Sequence, residues 1–225
     1  MASRLMHLAV AQELIRGDDR FSGTADKTRF LFGSLLPDAS TTKASHFPIY
    51  AACGPSGERK KTFDLAGFRA FYSVQIRNDP LYLGYYLHLV QEVLFRKLMY
   101  PEKDYSPHGP ENVSRLYEDY RTIGDWLIRT YGLSAPSMPE GLESEGGLLG
   151  LFPFRLSEFR KELERDFLWK ETPGQTKTQF LHVEMVSQFV RESVSVCGAE
   201  VRRCFEEADK QQSNENLFWW NAGAG

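Results

Sequence analysis

The sequence predicts an all-α fold: a single-domain, multi-helix bundle over residues 1–225, with 211–225 as an irregular tail. Three observations carry this. Apolar residues recur at a period near 3.6 along most of the chain, and no stretch alternates as a half-buried strand does. Helix-starting and helix-stopping residues bracket the periodic stretches. The 225 residues, 42% hydrophobic and 25% charged, suffice for one core without disulfide staples.

Ser3 N-caps a first helix to about Arg16, with Leu5, Leu8, Ala9 and Leu14 at helical spacing and Gly17 as the stop. After a polar loop over 18–25, Asp26 caps a helix through Phe30, Phe32 and Leu35, ended by Pro37. Residues 36–48 read as an ordered loop carrying Asp38 and His46. Gly54, Pro55 and Gly57, beside Glu58-Arg59-Lys60-Lys61, mark an exposed turn or short hairpin over 51–61. Thr62 or Asp64 begins a third helix, Leu65 to about Ile76. Asp79 as N-cap with Pro80 at the first helical position starts the central helix, which Tyr100-Pro101 ends. Pro110 opens a helix to Tyr131, and Gly132 stands just past its end. Gly and Pro make 133–153 a long connection with short helical turns at most. Ser157 caps a helix to about Trp169. Residues 176–210 form a last helix, with Val183, Val186, Val190, Cys197, Val201 and Cys204 on its core face.

Composition excludes several functions. A net charge of −3 gives no overall attraction to nucleic acid. The three cysteines are odd in number and form no CxxC, which argues against a disulfide framework or a thiolate zinc site. The first residues make a poor signal peptide and no segment spans a membrane, so a cytoplasmic compartment and no stable membrane insertion are expected.

The central helix poses the chemical question. From Tyr82 to Phe95 its strongly polar side chains are His88, Gln91 and Glu92 alone. A helix turns ~100° per residue, so His88 and Glu92, four apart, share one face. A carboxylate on an apolar face is costly unless paired, protonated or metal-bound. His7, Asp38 and His46 are residues of metal-ligand type elsewhere in the chain. With His88 and Glu92 they could build a zinc shell, one carboxylate bridging to a second ion. Each also has a plainer reading: His7 as a core or capping histidine, Asp38 as a turn residue, HxxxE as an ordinary polar pair. Mixed imidazole and carboxylate donors without cysteine favour a hydrolytic site over a closed structural one.

Ser3-Arg4-Leu5-Met6-His7, Phe32-Gly33-Ser34-Leu35-Leu36-Pro37-Asp38, Ser45-His46-Phe47 and Gly84-Tyr85-Tyr86-Leu87-His88-Leu89-Val90-Gln91-Glu92 resemble successive blocks of bacterial proteins related to zinc-dependent phospholipase C. Leu116-Tyr117-Glu118-Asp119-Tyr120-Arg121 resembles a further block of one branch of that family. The resemblance covers about residues 3–130 and implies the all-helical bundle shared with single-strand-specific zinc nucleases. It implies phosphoester hydrolysis by a metal-activated water. Asp38, His46, His88 and Glu92 would hold one zinc ion, with Glu92 bridging to a second that His7 also binds, and Asp38 would orient the water or act as base. Glu92 departs from the family's Asp, and the family's amino-terminal ligand is not expected in a chain without a signal peptide. The family's third-ion set is not visible: His108 reads as a loop histidine, and His182 with Glu184, two apart, as structural.

Asp119 is then a further ligand or an acceptor behind a ligand histidine, and Arg29, Lys43 and Arg96 are candidate phosphate contacts. Arg96, four residues after Glu92, reads equally as its salt-bridge partner. The expected partner is a small phosphoester or a phospholipid head group, with nucleic acid only as substrate. The competing reading is a helical binding or scaffold protein that retains a structural or vestigial metal site.

Overall fold

A computed structural model describes residues 1–21, 23–53, 58–99, 109–144, 146–168 and 178–206. The described residues are mostly helical. The helices are α1 (Arg4–Arg16), α2 (Thr24–Gly33), α3 (Leu65–Phe71), α4 (Ser73–Asn78), α5 (Pro80–Met99), α6 (Pro110–Tyr131), α7 (Leu148–Leu151), α8 (Leu156–Leu168) and α9 (Val183–Glu206). The predicted tail over 211–225, the loop with His108, and Trp169 lie outside the described residues.

Helix α5 is the axis. Every residue from Leu81 to Phe95 is buried, as expected of a helix that is apolar all round. Helices α1, α2, α3, α4 and α9 surround it. Its start is fixed by Asp79, whose Oδ1 accepts from Leu81 N at 2.9 Å. Helix α2 crosses α5 closely because glycines meet: a Cβ on Gly84 would overlap Phe30 O and stand 2.8 Å from Ser34 N. A Cβ on Gly33 would likewise overlap Leu81 O. The place reserved at Gly84 for close approach is thus filled by α2.

Several boundaries differ from expectation. Two antiparallel strands, β1 (Pro48–Cys53) and β2 (Glu58–Phe63), pair in register from Pro48↔Phe63 to Cys53↔Glu58. The pairing extends beyond the exposed turn or short hairpin predicted over 51–61, and it is the one sheet among the described residues. The helix predicted over Leu65–Ile76 is two, divided at Tyr72 (φ −105°, ψ 20°), whose ring packs against Phe68 and Tyr82. Helix α2 starts at Thr24, with Asp26 inside its first turn and Gly23 at the N-cap. Helix α8 starts at Leu156, which places Ser157 inside it.

The last helix begins at Val183, later than expected, because of Asp119. Its Oδ1 accepts from Gln179 N at 2.8 Å, and its Oδ2 from Phe180 N at 2.7 Å and Leu181 N at 3.0 Å. Three consecutive amides aimed at one carboxylate are unavailable for helical bonding to carbonyls four residues back. Asp119 is therefore a clamp that docks the approach to α9 on α6, not a metal ligand. Asp119→Ala is expected to cost about 3 kcal/mol in urea melts, since charge-assisted bonds to three backbone amides are lost, with metal content unchanged.

A second buried carboxylate, Glu200 of α9, escaped the sequence reading. It accepts from Tyr86 Oη at 2.6 Å, Arg69 at 3.2 Å and Arg203 at 2.7 Å. These bonds tie α3, α5 and α9 together. Cys197 and Cys204 are buried free thiols on the same helix; burial pushes Cys204 up to about 12. Among the described residues no helix is long and apolar enough to cross a membrane.

Candidate metal centre

Three elements converge on α5. Helix α1 brings His7, the turn Leu36–Ala39 brings Asp38, and the turn Lys43–His46 brings His46. All five predicted ligands meet in two groups: His7, His88 and Glu92, and Asp38, His46 and His88, with the donor atoms of each within 4.8 Å of one another. His7 and His88 stack at 3.9 Å between ring centroids. His46 Nε2 lies 3.2 Å from His88 Nε2, and Asp38 Oδ1 lies 3.4 Å from the first and 4.0 Å from the second. His7 Nε2 is 3.4 Å from Glu92 Oε1, which also accepts from Ala2 N at 2.6 Å. The Met1 amino group lies 4.0 Å from Glu92 Oε2, so the first residues do reach the site.

The outer hydrogen bonds decide what these atoms are. His88 Nδ1 is 2.9 Å from Ser34 O, a carbonyl that can only accept, so Nδ1 carries the proton and Nε2 the lone pair. His46 Nδ1 faces Ser45 Oγ at 3.2 Å. That hydroxyl spends its one proton on Pro37 O and Thr42 O, each at 2.9 Å, and so accepts from His46. His7 Nδ1 donates to Gln91 Oε1 at 3.0 Å. The outer acceptors therefore place a proton on each Nδ1 and turn all three Nε2 atoms inward, toward each other and toward two carboxylates. Outer acceptors that fix the tautomer in this way are the usual support of metal-bound histidines.

Burial sharpens the conflict. His7, His88 and Glu92 are fully buried, and the side chains of His46 and Asp38 are only 7% and 11% exposed. Burial pushes His88 down to about 3, with the neighbouring His7 adding to the effect. Asp38 falls to about 2 because His88, His46 and His7 outweigh a burial effect that would raise it. Burial likewise opposes the ionisation of Glu92, but the amino terminus and His7 hold it well below the carboxylate range. His7 Nε2, Asp38 Oδ1 and Glu92 Oε2 are buried with no hydrogen-bond partner. Electron pairs packed together without protons repel, and a cation among them removes the repulsion. The donor set fits zinc.

The apo protein is therefore expected to lose stability on acidification. A neutral His88 held at about 3 in the fold takes its proton near 6.5 when unfolded, so the unfolded state binds more protons between those values and stability falls as pH drops through that window. Urea midpoints of chelated protein at pH 7 and pH 5 measure the loss.

The surroundings hold the ligands in place. Tyr85 Oη donates to Ser45 O, which makes Tyr85 a strut of the His46 turn as well as a core residue. Phe47, next to His46, is the one non-glycine residue at positive φ (48°) among the described residues, and its ring is edged by Phe68, Tyr85 and Phe152. Strain of this kind is tolerated where neighbours over-determine the conformation.

Other predicted contacts are placed elsewhere. Arg29 pairs with Asp79 at 2.8 and 2.6 Å, nine residues and so ~14 Å of helix before His88; it ties α2 to the start of α5 instead of meeting a phosphate. Arg96 donates to Lys61 O at 2.7 Å and stacks 4.4 Å over Phe63, which holds its charge beside the second strand. Lys43 is exposed on the same turn as His46. His182 and Glu184 are exposed, with His182 Nδ1 2.9 Å from Thr178 Oγ1, and neither joins a metal-type group among the described residues. Sequence reasoning missed the acceptors Ser34 O and Gln91 and the donor Ala2 N; of these only Gln91 left a trace, as a polar residue on an apolar helix.

No protein-family model, curated protein or solved structure matches the chain.

Proposed function

We propose that the chain is a metal-dependent hydrolase of phosphoesters, zinc being the metal, on a helical bundle of the zinc-dependent phospholipase C and zinc nuclease type. The observation that carries this reading is the convergence of three inward-facing Nε2 atoms and two carboxylates, with His7 Nε2, Asp38 Oδ1 and Glu92 Oε2 buried without a hydrogen-bond partner. Asp38, His46, His88 and Glu92 would hold one ion through the single free nitrogen of His88, and the Glu92 carboxylate would be shared with a second ion that His7 binds. Zinc bound there supplies Lewis acidity, which activates water at neutral pH and offsets charge on a phosphoryl group.

The chain's own residues supply the remainder. Asp38 is the most exposed of the five, which makes its carboxylate the one best placed to orient water and accept a proton from it. In a 3-10 turn residues three apart eclipse, so Lys43 stands on the His46 side, where it attracts an anion. Lys61 and Arg96 reinforce that positive flank: after burial, Arg96 and Lys43 are what lower the Lys61 pKa.

A second reading, a binding or scaffold protein with a structural metal, draws support from the near-complete burial of the donors. Turnover separates the two. Zinc-loaded protein is expected to hydrolyse at least one member of a panel of phosphodiesters, phosphomonoesters and phospholipids, with Asp38→Ala reducing the rate ~100-fold or more. Stoichiometric zinc with no turnover anywhere in the panel would favour the structural reading.

A further inference from the structure

The Ser45 hydroxyl joins the two ligand-bearing turns. Ser45 is fully buried and directly precedes His46 in the 3-10 turn Lys43–His46. Its Oγ stands 2.9 Å from Pro37 O, 2.9 Å from Thr42 O and 3.2 Å from His46 Nδ1. Pro37 directly precedes Asp38 in the turn Leu36–Ala39. Among the described residues, the Ser45–Pro37 bond is the one hydrogen bond that reaches from the His46 turn to the backbone of the Asp38 turn. A hydroxyl has one proton, and carbonyl oxygens can only accept. Turned toward His46, that proton would leave two carbonyl oxygens 2.9 Å from the lone pairs of a third oxygen. Shared between the carbonyls, it leaves Oγ to accept from His46 Nδ1. The Ser45 backbone is held as well: its N–H donates to Thr42 O at 3.4 Å, and its carbonyl accepts from Tyr85 Oη of α5.

We propose that Ser45 is a positioning residue that sets Asp38 and His46 at the spacing of a zinc shell and keeps the His46 proton on Nδ1, off the ligating nitrogen. The proposal rests on the metal reading above. Donors ~2.0–2.2 Å from a tetrahedral zinc ion stand about 3.3–3.6 Å apart. Asp38 Oδ1 and His46 Nε2 have that separation, 3.4 Å, and His46 Nε2 lies close to it from His88 Nε2, at 3.2 Å. Asp38 and His46 stand on separate short turns, whereas His88 and Glu92 share one rigid helix. Their spacing therefore needs a tie across the turns. The Ser45 side chain supplies it, pinning the backbone beside Asp38 through Pro37 O and the His46 ring through Nδ1. Without the hydroxyl, His46 Nδ1 loses its acceptor. The ring proton is then better placed on Nε2, where Asp38 Oδ1 and His88 Nε2 can accept it and the ligating position is blocked.

Zinc titration and nitrogen-15 NMR of the histidine rings test this on the full chain without turnover. Ser45→Ala is expected to bind zinc ~10–100-fold more weakly than wild type. In zinc-free protein the same variant is expected to carry the His46 proton on Nε2, where wild type carries one on Nδ1. His46→Ala is expected to weaken zinc at least as much, and Ser45→Ala to add less in that background than it does alone. Asp119→Ala, destabilised on α6, is expected to keep wild-type zinc affinity and the proton on His46 Nδ1, which separates positioning from lost stability. A wild-type His46 without a proton on Nδ1, a proton that stays there in Ser45→Ala, or equal zinc affinity in Ser45→Ala and wild type overturns the proposal while the metal reading stands. A wild type that binds no zinc sinks the metal reading, and this proposal with it.

Discussion

His88→Ala is expected to strip the chain of tightly held zinc, where His7→Ala leaves one of the two groups intact. His88 is the member common to both groups. Its Nδ1 is committed to Ser34 O, so a single nitrogen serves the centre, and without it neither group keeps three donors. Glu92→Ala is expected to act similarly on the His7 side, with loss of the bridge that a second ion would need. Wild-type protein with zinc at ~1,000 times its Kd gains about 4 kcal/mol. At this chain length each kcal/mol is worth ~2–4 °C, so chelation should lower the melting temperature by roughly 8–16 °C. The same chelator should leave the His88→Ala melt unmoved. Elemental analysis of unchelated protein is the direct check: full wild-type metal in both His88→Ala and Glu92→Ala would remove the metal centre from consideration.

The parts of this centre that could be read from sequence are those whose chemistry is local. His7, Asp38, His46, His88 and Glu92 are metal-type residues in an otherwise apolar or ordered context, and the structure brings all five together. Helix starts were equally legible where the signal was a short pattern: Ser3 accepting from Met6 N, Asp79 before Pro80, and Pro110 with Gly132 in the left-handed conformation. What escaped depends on distant residues. The start of α9 is set by Asp119, about sixty positions away. The hairpin pairs an apolar run with a charged one, Pro48–Cys53 with Glu58–Phe63, so neither strand alternates in the way that marks a sheet face. The tautomers of His88 and His46 are fixed by the backbone carbonyl of Ser34 and the hydroxyl of Ser45. A carbonyl has no residue type, so no sequence pattern can reveal it.

Gly84→Ala should couple the fold to the centre in one methyl group. The added carbon would overlap Phe30 O and sit 2.8 Å from Ser34 N; both are backbone atoms of the α2 end, which cannot swing aside as a side chain does. Relief requires α2 and α5 to separate, at a cost of about 3 kcal/mol or more by the usual scale of overpacking. The separation also pulls on Ser34, whose carbonyl holds the proton of His88 Nδ1 one turn further along α5. Zinc affinity should therefore fall together with stability, although Gly84 touches no ligand. Gly33→Ala, which meets Leu81 O and Leu81 Cα from the other side of the crossing, is expected to behave the same way. Asp119→Ala supplies the contrast: a comparable loss of stability at a site remote from the α2–α5 crossing, with zinc affinity retained. Equal zinc affinity in Gly84→Ala and wild type, measured well below the melting temperature of both, would show that the close crossing serves packing alone and that the tautomer of His88 survives without it.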